Sequence, residues 1–78
     1  MTDKDQQRAR RVIQIMKDAG VVAGELMNRG AIEAVWLKPG NAEREGLLAG
    51  LQYAGDRDWT EDGSGVFLRL TAKGADLK

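Results

Sequence analysis

The residues best suited to chemistry are mostly missing from this sequence. None of its 78 residues is histidine or cysteine. That excludes the usual general base, the thiolate nucleophile and nearly every transition-metal site, since carboxylates alone suit hard cations. Ser64 and the few threonines therefore have no imidazole to activate a hydroxyl. Neither Gly-x-Gly-x-x-Gly nor the Walker pattern occurs, so no glycine loop of the phosphate-binding kind is expected. The chain reads as a non-enzyme that needs no cofactor. What remains is recognition through charge, hydrogen bonds and apolar contact.

Four groups of residues could carry that recognition. Asp58-Trp59-Thr60-Glu61-Asp62-Gly63 begins like a calcium loop, with Gly63 at the turn position counted from Asp58. The position that needs a bidentate glutamate is Arg69, which would repel the ion, so the segment reads as an acidic turn. Arg8, Arg10, Arg11 and Lys17 form the one basic concentration. They suit phosphates or an acidic partner, or else a solvated face beside Asp5 and Asp18. Gly46 and Gly50, with Ala42 and Ala49, form a small-residue face. It could admit a partner, a second copy or a DNA backbone, or pack against the chain's own first helix. Trp36, Tyr53, Trp59 and Phe67 are the only aromatics. Phe67 alternates with Val66, Leu68 and Leu70, which suggests an outer-face pair with Trp59 that braces a hairpin or anchors an interface.

The elements that must position these residues follow from periodicity. Ala9, Val12, Ile13, Met16 and Ala19 make one apolar stripe, predicting a helix over 3–19. Thr2 and Asp5 approximate a capping box, and Gly20 stands where a left-handed stop is wanted. From Val21 to Leu37 the pattern is ambiguous. Val22, Leu26 and Met27 fit a short helix ending at Gly30, whereas 31–37 fits helix or strand. Lys38-Pro39-Gly40 breaks the chain. A second helix is predicted over 41–54, capped by Asn41, with Leu47, Leu48, Leu51 and Ala54 inward and Gly55 as its stop. An antiparallel pair then joins 57–61 to 66–71 across a turn at Glu61-Asp62-Gly63-Ser64-Gly65. The expected core is Val12, Ile13, Met16, Leu26, Leu47, Leu48, Leu51, Leu68 and Leu70.

This order of elements, with Leu48, Leu51 and Gly55, then Val66, Leu68, Leu70, Thr71, Lys73 and Gly74, resembles the C-terminal half of winged helix-turn-helix domains of the MarR and PadR regulator type. The likeness covers roughly 41–76, with a looser match of 24–30 to the first helix of the helix-turn-helix. It implies one α+β domain, winged-helix-like, with about three helices and a C-terminal hairpin as the wing. It also implies a DNA-binding regulator of transcription, its 41–54 helix in a major groove. Arg44, Gln52 and Asn41 would then meet base edges, while Arg8, Arg10 and Arg11 meet phosphates.

Charge points to a different partner. Lys plus Arg is 12 and Asp plus Glu is 12, so no bulk attraction to nucleic acid or an anionic membrane is available. The hairpin region carries Asp56, Asp58, Glu61 and Asp62 against Arg57 alone. The alternative is a protein-interaction module of the same fold, using Gly46, Gly50, Trp59 and Phe67, with a homodimer as one form. No apolar run reaches membrane-span length, and the first residues are polar, so a cytoplasmic protein is expected.

Overall fold

A computed structural model describes residues 2–38 and 44–77. The Thr2 side chain, Asn41 and Ala42 lie outside the described residues, and with them both helix caps expected from the sequence. The elements run α1 (Thr2–Asp18), β1 (Leu26–Asn28), α2 (Arg29–Leu37), α3 (Arg44–Asp56), β2 (Thr60–Asp62), β3 (Phe67–Leu70) and α4 (Ala72–Ala75). The three strands form an antiparallel sheet in the order β1-β3-β2. Helices on one face of such a sheet, with β2 and β3 as a terminal hairpin, make a small α+β domain of winged-helix-like arrangement.

Helix α1 ends at Asp18, one residue short of the expected Ala19, which is exposed, and the glycine stop forms where the sequence marks it. Gly20 takes φ 85°, a conformation that costs a residue without Cβ little. Its N–H donates to Lys17 at 2.9 Å and the Val21 N–H donates to Met16 at 3.0 Å, which satisfies two orphan carbonyls.

The ambiguous stretch resolves into a strand followed by a helix, the reverse of the expected short helix over Leu26 and Met27. Gly24 donates to the Leu70 carbonyl at 2.7 Å and Leu70 donates to Glu25 at 3.0 Å, so the segment is hooked onto β3. Asn28 then turns the chain, its side chain accepting the Gly30 N–H at 2.7 Å to cap α2. Ile32 and Trp36, one helical turn apart, are the buried residues of α2.

Helix α3 is rotated by about one position from the face expected of it. Gly46, Leu47, Gly50 and Ala54 are buried, while Leu48 is 59% exposed and Leu51 only half-buried. The cause is the glycines. A Cβ on Gly50 would stand 2.9 Å from both the carbonyl carbon and oxygen of Arg8, so α3 lies with its backbone directly against α1. Leu48 is thereby turned to solvent. The expected stop at Gly55 is also displaced. The helix runs to Asp56 and is closed by Asp58 at φ 61°, with Asp58 donating to Gly55 at 3.1 Å and Trp59 to Ala54 at 2.8 Å.

The hairpin pairs Thr60 with Leu70, Glu61 with Arg69 and Asp62 with Leu68. Thr60, Leu68 and Leu70 face the core; Glu61, Arg69 and Phe67 lie exposed. The predicted Trp59–Phe67 pair does not form. Trp59 is buried and meets Tyr53 edge-on at 5.6 Å, whereas Phe67 is opposite Asn28 on the outer face. The Leu-Thr-x-Lys-Gly stretch has a physical role. Thr71 caps α4 by accepting the Gly74 N–H at 3.1 Å, and a Cβ on Gly74 would overlap the Trp59 carbonyl oxygen. The core therefore gains Ala9, Ile15, Ile32, Trp36, Ala54 and Trp59, loses Leu26 and Leu48, and keeps Leu51 only partly buried at its edge.

Candidate recognition face of helix α3 and the hairpin

Helix α3 and the hairpin enclose a groove of about 440 Å³. The second half of α3 contributes Leu51, Gln52, Gly55 and Asp56, and the turn after it adds Asp58. Thr60, Glu61 and Asp62 come from β2, Leu68 from β3, and Arg29 from the start of α2. Among these lining residues the carboxylates of Asp56, Asp58 and Asp62 stand against one guanidinium, while Glu61 turns its side chain to the other face of β2. That guanidinium is engaged, since Arg29 is ion-paired with Asp62. On the outer face of the same hairpin Arg69 holds Glu61 at 3.3 Å. Two apolar side chains, Leu51 and Leu68, share the lining.

Thr60 stands out in this setting. It is 2% exposed, and among the described residues its hydroxyl oxygen has no hydrogen-bond partner. Leaving a buried hydroxyl unpaired costs about 1–3 kcal/mol. The carboxylates are dispersed rather than convergent. Among the described residues no three acidic groups stand close enough together to hold one metal ion.

The residues expected to meet DNA are mostly occupied elsewhere. Arg8 pairs with Asp5 at 3.3 Å and lies over Gly46 and Gly50. Arg11 stacks 4.6 Å above the Trp36 ring and donates to the Trp36 carbonyl at 3.4 Å. Arg10 is on the exposed side of α1. Arg44 is 3.2 Å from Glu33 at the α2–α3 junction. Of the set, Gln52 alone lines the groove among the described residues.

The interaction residues are likewise redistributed. Gly46 and Gly50 are covered by α1, so that face is spent on the fold and is not open to a partner. Trp59 is in the core, which leaves Phe67 as the exposed member of the set. Sequence reasoning missed Arg29 and Thr60. Arg29 is 33 residues from Asp62 and comes beside it only through the pairing of β1 with β3. No periodicity marks Thr60.

Among the described residues no helix is long and apolar enough to cross a membrane. Comparison of the chain with protein-family models, curated proteins and solved structures finds no match.

Proposed function

We propose that the chain is a non-enzymatic winged-helix-like module that recognises a basic protein surface through α3 and the hairpin. The observation that carries this reading is the charge of the groove between them. A duplex seated against α3 and a wing would bring phosphates toward Asp56, Asp58, Glu61 and Asp62, and phosphate contacts dominate DNA affinity. The turn at the tip of the hairpin, Gly63-Ser64-Gly65, has no cation to offset them. The exposed residues of α3 support the same reading, because Leu48 presents a branched apolar side chain where a base-reading helix would present donors.

DNA binding is the second reading, favoured by the order of elements and by Arg44 and Gln52 exposed on α3. Titration of the protein with a mixed-sequence duplex at two salt concentrations separates the two. No binding even at low salt is the outcome expected of a protein-directed module. Salt-sensitive binding that weakens when Arg8, Arg10 and Arg11 are reversed in charge establishes the DNA reading instead.

A further inference from the structure

We propose that the groove between α3 and β2 is a socket for an arginine side chain on an extended segment of a protein partner. The proposal rests on the protein-binding reading above and adds the contact that would carry it. Two independent observations meet in the groove. One is charge, with Asp56, Asp58 and Asp62 along the lining and only Arg29, itself paired with Asp62, to oppose them. The other is the Thr60 hydroxyl, buried in the same lining with no partner among the described residues.

An arginine answers both. Its methylene stem can lie along Leu51 and Leu68 while its planar fork donates to several acceptors at once. Carboxylates take two of those N–H groups side by side, and the Thr60 oxygen accepts another when the groove opens to admit it. The dispersal of the carboxylates suits this occupant better than a point charge. With no three acidic groups placed to share one ion among the described residues, the negative charge is spread over a surface that a fork and its flanking chain can follow.

The test is an amide-shift titration of the full chain with an oligo-arginine peptide, beside oligo-lysine and oligo-glutamate controls. The largest shifts are expected at residues 51–62, with oligo-arginine bound more tightly than oligo-lysine. Asp56→Asn with Asp58→Asn should weaken binding by about tenfold or more, as loss of charge-assisted hydrogen bonds would. Asp18→Asn, on α1 and outside the groove, should bind as the wild type does. Thr60→Val should bind more weakly while unfolding at a higher temperature, a combination that a purely structural threonine would not give. The socket is overturned if the groove amides do not respond at low salt. It is also overturned if the double variant binds as tightly as wild type, or if oligo-lysine matches oligo-arginine. Peptide binding that persists in the double variant removes the socket yet leaves protein recognition standing. Duplex binding with no response to either basic peptide removes both.

Discussion

A single hydrogen on Gly50 sets the distance between two helices. Alanine is favoured over glycine in a helix interior by about 1 kcal/mol, so Gly50→Ala would stabilise an exposed helix. Here the new methyl group meets the Arg8 carbonyl at 2.9 Å, and a backbone group within a helix cannot move aside as a flexible side chain can. Overpacking of this kind costs about 1–3 kcal/mol, so the net effect should be a loss of stability. Urea denaturation checks it, and a raised midpoint would mean that α1 and α3 are not in contact there. Thr60 carries the opposite expectation. Thr60→Val keeps the shape and removes an unpaired hydroxyl, which should raise stability by about 1 kcal/mol. A fall would show that the hydroxyl has a partner in the folded protein.

Helix α3 separates what was legible in the sequence from what was not. Its presence and the burial of Leu47 and Ala54 follow from a 3.6-residue period, but the period alone leaves the exact face open by one position. Leu47 and Leu48 are adjacent, equally apolar and indistinguishable until the glycine contact with Arg8 fixes the rotation. Leu47→Ala should therefore cost about 2–5 kcal/mol, and Leu48→Ala should fall within about 0.5 kcal/mol of wild type. Equal losses in thermal unfolding would refute the rotation. Helix α1 was plain because five apolar residues and a terminal glycine agree. Strand β1 was hidden because three residues are too few to show a period of two, and its place depends on Leu70 far along the chain. The groove was legible only as an acidic hairpin. Its walls come from α2, α3, β2 and β3, and no local pattern reports which side chains such distant elements bring together.

At the scale of the whole molecule, a net charge of zero conceals a definite layout. Basic residues lie along α1, with Arg8 and Arg11 committed to Asp5 and Trp36, while carboxylates gather between α3 and the hairpin. Under the function proposed above, a phosphate backbone brought against α3 and the hairpin would meet charge of the wrong sign. In the proposed function this acidity, rather than the fold, excludes DNA. That exclusion is tested most directly by measuring duplex binding at low salt for the wild type beside Glu61→Lys/Asp62→Lys. The reversal adds two cations and also releases Arg29 and Arg69 from their carboxylates. The wild type should not bind, and the variant should bind with an affinity that falls steeply as salt is raised. Low-salt binding by the wild type that Arg44→Ala weakens would contradict the account.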